Sequence, residues 1–172
     1  MSALRTGRAV LARLTELGVG IGMALLALMA TIVVVQVGAR NLLDLGLPWA
    51  DELARFSGIG MVFLSIPALA SQRVLVSVTM VPDMLGRRAQ MVSAVISDLS
   101  VLVCAGLLLW SFAAFLPRAG KFLTPALQLP NYFYYSLALI GTALLAVVMA
   151  FRMIELLTGR LPELTDPVDI PQ

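Results

Sequence analysis

The residues able to do chemistry are concentrated in the stretch Pro48-Trp49-Ala50-Asp51-Glu52-Leu53-Ala54-Arg55, where acids, a base and an aromatic ring stand between two long apolar runs. Helical spacing puts Trp49, Glu52, Leu53 and Phe56 on one stripe. It also sets Asp51 and Arg55 at i and i+4 with the acid first, the favourable order for an ion pair on a helix. Pro48 suits a first turn, because its missing N–H is one that the turn leaves unpaired anyway. Asp51 and Glu52 then stand where the positive end of the helix dipole favours acids. A helix is expected to begin here and to continue into the next apolar run. A solvated helix end with Trp49 in the headgroup zone is the plainer reading of the same residues.

Elsewhere the chemistry is sparse. The chain has no histidine, which removes the commonest general base and metal ligand. Its one cysteine, Cys104, lies in mid-span and reads as a small apolar filler. There is no phosphate-binding glycine loop, zinc spacing or nucleophile elbow, so neither an enzyme nor a cofactor or metal site is expected. Asp98 is the exception, an acid inside an apolar run, where burial costs about 2.5 to 3.5 kcal/mol even on a mild scale. It admits a buried contact with a neighbouring helix, an ion or proton pathway, or exposure at the interface. Ser93, Ser97 and Ser100 are near enough to build a polar patch around it.

The elements that carry these residues follow from composition. Of 172 residues 60% are apolar and only 13% charged, against roughly 25% charged in ordinary globular domains. Uncharged runs long enough to cross about 30 Å of hydrocarbon alternate with charged segments. The chain is therefore an all-α integral membrane protein with four spans, about 17–39, 53–72, 91–116 and 131–151, and short interfacial helical segments. A basic leader, 1–16, precedes the membrane domain, 17–152, and a tail, 153–172, follows it. Val37-Gly38-Ala39 offers small residues to a signal peptidase, yet the run far exceeds the roughly 7 to 15 residues of a signal core. It reads as a retained span.

Several patterns concern packing. Gly18 and Gly22 form a G-x-x-x-G pair, a spacing that lets helices approach closely but is also frequent by chance. Ala138, Thr142, Ala146 and Ala150 make a small-residue stripe at every fourth position. Pro67 is expected to kink the second span and free a backbone carbonyl. The segment from Arg73 to Gln90 is too apolar for a solvated loop and is expected to lie along the interface or against another protein. Tyr132, Tyr134 and Tyr135 open the fourth span as an aromatic belt. Eight of the twelve Lys and Arg residues fall on the leader, second loop and tail side and four on the other. The bias puts both termini in the cytoplasm and the Trp49 stretch outside. A net charge of +2 is too small to suggest nucleic acid.

With these residues in place, the chain resembles the small membrane subunit of the tripartite ATP-independent periplasmic (TRAP) transporters. The resemblance runs from about Leu17 to Arg152 and is most specific in Leu47-Pro48-Trp49-Ala50-Asp51-Glu52-Leu53-Ala54-Arg55. Arg73 after the second span, and Pro125-Ala126-Leu127-Gln128-Leu129-Pro130 leading to Tyr134, add to it. The Gly-His-Ile and Val-Asp usual after the basic residue are absent, since Val74, Leu75 and Val76 are followed by Val78 and Thr79. Asp51 stands where glutamate is more usual.

The resemblance implies an accessory subunit of the bacterial inner membrane. It would brace a large membrane subunit that carries the sodium and substrate sites, while a periplasmic substrate-binding protein captures small, carboxylate-type solutes. It also implies interface or structural roles for Trp49, Asp51, Glu52, Arg55, Arg73 and Asp98, beside the packing residues already named, with lipid as the remaining partner. The rival reading is a small homo-oligomeric secondary transporter that uses Asp98 as its coupling acid.

Overall fold

The computed structural model describes residues 2–71 and 87–157. Four helices account for most of them: α1 (Ser2–Leu43), α2 (Pro48–Ser71), α3 (Arg87–Ala119) and α4 (Tyr132–Leu157). Each carries a stretch long and apolar enough to cross a bilayer, and the protein is an all-α, multi-pass membrane protein. Arg73 and nearly all of the apolar segment expected along the interface lie outside the described residues, as does the tail beyond Leu157.

α1 joins the basic leader to the first span without a break, and its 42 residues extend about 63 Å at 1.5 Å per residue. Among its buried and half-buried positions are Thr15, Gly18, Gly22, Leu25, Met29, Ile32, Gln36 and Ala39. That alternation of three and four is the seam of a left-handed helix pair. The partner is α2, running antiparallel. A β-carbon on Gly18 would lie 2.6 Å from the Leu64 carbonyl oxygen, and one on Gly22 would lie 2.6 Å from Ser65 Oγ. The G-x-x-x-G pair thus seats the α2 backbone directly on α1.

α1 ends where Asp44 turns left-handed (φ 51°) and the Leu45 N–H donates to the Ala39 carbonyl at 3.2 Å. A left-handed residue just past the last turn is a common way to stop a helix, made here with aspartate where glycine is commoner. Four residues later Pro48 opens α2 at the position where a missing N–H costs least.

α2 packs between α1 and α4, and α4 packs between α2 and α3, so the helices follow the spatial order α1, α2, α4, α3. At the second contact Pro67 acts through backbone geometry. Pro67 cannot bond to the carbonyl four residues earlier, that of Phe63, and a β-carbon on Gly141 of α4 would overlap this same oxygen. The missing side chain lets the two backbones meet, an arrangement in which weak Cα–H···O contacts form. Ala138 and Thr142 are buried beside it, with the Thr142 hydroxyl donating to the Ala138 carbonyl at 2.7 Å, whereas Ala146 and Ala150 are only half-buried. The small-residue stripe therefore divides, its first half inside the helix layer and its second at the margin.

Gly141→Ala must push α2 and α4 apart and is expected to cost about 1 to 3 kcal/mol. Gly106, where a β-carbon would meet nothing within 4 Å, should accept alanine with no loss. Thermal unfolding of the two variants in mild detergent checks the contrast.

Candidate functional site

The polar groups of the helices gather at the two ends of α2. At its start, Glu52 reaches across to the connection between α3 and α4. The Ala126 N–H donates to one carboxylate oxygen at 2.8 Å and the Leu127 N–H donates to the other at 2.9 Å. That connection is a small hairpin. The Thr124 N–H donates to the Leu129 carbonyl at 2.8 Å, the Asn131 N–H donates to the Phe122 carbonyl at 2.9 Å, and Gln128 turns left-handed (φ 54°). Thr124 Oγ1 accepts from the Leu129 N–H at 3.1 Å and stands beside the Glu52 carboxylate. One acid thus holds two consecutive backbone donors of a loop more than seventy residues away, as an anion held by aligned N–H groups is held. The two segments that carry the family resemblance touch each other here.

Aromatic packing continues the contact. Phe56 stacks on Phe133 with centroids 5.7 Å apart and meets Tyr134 edge-on at 5.5 Å, while Phe115 of α3 meets Tyr135 edge-on at 5.1 Å. Tyr134 is buried and belongs to the helix junction, so the three tyrosines do not form one exposed belt. Trp49 is 43% exposed at the helix start. Asp51 departs from its expected partner: its carboxylate accepts from Gln36 Nε2 of α1 at 2.8 Å, and no Asp51–Arg55 ion pair occurs among the described residues. An amide at a seam position of α1 offers a bond that also ties two helices, which a pair within one helix does not.

The other end of α2 is held by Arg152 of α4. One guanidinium nitrogen lies 3.1 Å from a carboxylate oxygen of Asp98 on α3, and the other donates to the Ala70 carbonyl in the last turn of α2. Both side chains are buried, Asp98 to 99%. The helix that meets Asp98 is therefore the chain's own α4. The geometry follows from guanidinium chemistry, since a planar fork can serve a carboxylate and a carbonyl at once. A helix C-terminus also favours a cation, because its last carbonyls carry the negative end of the dipole. Ser71 adds a second tie in that turn, its hydroxyl donating to the Ala68 carbonyl at 2.7 Å.

In the sequence Asp98 stands out as an acid within an apolar run, whereas Arg152 marks only the exit of the fourth span. Both lie toward the same end of an antiparallel pair, which is the signal that could join them. The Ala70 carbonyl has no such signal. Arg73 is outside the described residues. The arrangement is an internally paired frame in which Glu52, Asp98 and Arg152 are engaged in joining helices and the hairpin.

Glu52→Ala removes both acceptors and Glu52→Gln replaces one with a donor. Amide hydrogen exchange across the 122–131 hairpin is expected to accelerate in both, more in the alanine variant. Unchanged protection at Ala126 and Leu127 would show that the hairpin does not depend on the carboxylate.

Comparison with known proteins adds the family. Residues 29–159 match the family model described as tripartite ATP-independent periplasmic transporters, DctQ component. The matched region includes both ends of α2, the hairpin and the Asp98–Arg152 pair. The chain is also 31% identical over 114 residues to the isethionate TRAP transporter permease protein DctMQ of Oleidesulfovibrio alaskensis, a match covering 65% of this chain and 17% of that relative's length. With most of its length matched, this chain belongs to the DctQ component family of the TRAP transporters.

Proposed function

We propose that the protein works as a static brace for the large membrane subunit of a TRAP transporter. The supporting observation is the Arg152 bridge: the one acid deep in α3 is already neutralised by a cation of the same chain, which in turn holds the end of a third helix. A coupling acid must exchange its cation during each cycle, and breaking a buried pair by removing one partner costs about 3 to 5 kcal/mol. Asp98 is better suited to fixing helices than to carrying ions, which favours the accessory role over the self-sufficient homo-oligomeric transporter.

The finer parts of the proposal follow from the sequence and the family. Lys and Arg bias places both termini in the cytoplasm of a bacterial inner membrane, with the Trp49 end and the 122–131 hairpin toward the periplasm. The large subunit carries the sodium and substrate sites and receives small organic acids from a periplasmic binding protein. The relative whose name joins M and Q in one polypeptide supports a fixed pairing of the two membrane components, and the isethionate of that name is also a small organic anion. Trp49, Asp51 and Glu52 order the periplasmic end of α2. The hairpin beside them gives the binding protein a firm surface.

Coexpression with the large subunit should yield a stable heterodimer in mild detergent, and sodium-driven uptake in vesicles should need both chains and the binding protein. Recovery of the small chain alone, or uptake by vesicles that contain only this chain, would overturn the proposal.

A further inference from the structure

α2 makes use of its acids internally and leaves its base outside. Asp51 is bonded to Gln36, and Glu52 is bonded to the hairpin amides. Arg55 is exposed and has no hydrogen bond or ion pair among the described residues. It feels the charge of Glu52 nearby, but that carboxylate is already directed at two N–H groups. Arg55 is also badly placed for a cation, in the second turn of a helix whose N-terminus carries the positive end of the dipole. It lies about 9 Å further along α2 than Trp49, and Trp49 is the kind of residue that marks the headgroup level. A guanidinium below that level calls for an anion that can reach it within the membrane.

The surroundings specify what kind of partner carries that anion. Seven and fourteen residues on, Val62 (47% exposed) and Leu69 (37% exposed) continue the line of Arg55 along the outer side of α2. The opposite side, with Ser57, Gly60 and Leu64, is buried against neighbouring helices. A spacing of seven is the repeat of a helix-packing seam, and it is also the repeat by which α1 meets α2. An apolar seam beginning at an unpaired guanidinium is complementary to a membrane helix with an acid at one end. A lipid chain matches the valine and leucine and its phosphate can meet a snorkelling arginine, but it has no helical repeat to match the seven-residue spacing.

We infer that the Arg55, Val62 and Leu69 line of α2 receives a membrane-spanning helix of the large subunit, whose carboxylate pairs with Arg55. This inference rests on the accessory-subunit reading.

The test uses the full complex, coexpressed with the large subunit and purified in mild detergent, with a photoreactive benzoylphenylalanine at Val62, at Leu69, or at Val103 on the exposed side of α3. Light should join positions 62 and 69 to the large subunit, identified by mass spectrometry, and position 103 to no protein. Arg55→Glu should reduce the adduct from position 62 about tenfold or more, as loss of a buried charge pair does, and Arg55→Lys should recover part of it. The thermal stability of the chain alone, unchanged in Arg55→Glu, separates lost docking from lost folding. Adducts from 103 and not from 62 or 69, adducts only between copies of this chain or with lipid, or adducts indifferent to Arg55→Glu would overturn the inference while leaving the brace standing. Failure of the unsubstituted chains to copurify would overturn both.

Discussion

The last carbonyls of a helix have no partner within it, and at the described end of α2 one of them is met by a guanidinium. Arg152 donates to the Ala70 carbonyl at the end of α2 while it neutralises Asp98 of α3. Neither bond is stable alone in an apolar setting, since an isolated buried cation or carboxylate costs several kcal/mol after relaxation. Together they make α2, α3 and α4 conditional on one another at that end. Glu52 does the corresponding work at the opposite end, where its carboxylate takes two N–H groups of the hairpin that connects α3 to α4.

Between these ends the helices meet by shape. In a membrane, helices gain little from hydrophobic burial, and close backbone approach supplies dispersion and weak polar contacts instead. Gly18 and Gly22 bring α1 onto α2, and Gly141 brings α4 onto the carbonyl that Pro67 frees. A layer held this way has few internal degrees of freedom. That property suits the static brace proposed for this chain, and it fits polar side chains that join helices.

The membrane class and the number of long apolar helices were legible because hydropathy and charge spacing report directly on the bilayer. The start of α2 at Pro48 was legible from local rules for helix N-termini. Tertiary polar contacts were harder to read. Asp51 prefers Gln36 of another helix to its neighbour at i+4, and no local rule ranks these two. Glu52 finds backbone N–H groups, which carry no residue identity in a sequence, and the Ala70 carbonyl is invisible for the same reason. Asp98 stood out because an acid in hydrocarbon must be explained. Its partner was hidden because Arg152, near the end of an apolar run, looks like an ordinary topology signal.

The helix frame depends most on the Asp98–Arg152 bridge, and a double-mutant cycle measures it most directly. Unfolding free energies of Asp98→Asn, Arg152→Gln and the double variant, determined in a lipid-like detergent, should give each single loss near 3 to 5 kcal/mol and a coupling of about 1 kcal/mol or more. Losses that simply add, or single variants as stable as the unaltered chain, would contradict the claim that this pair ties the helices together.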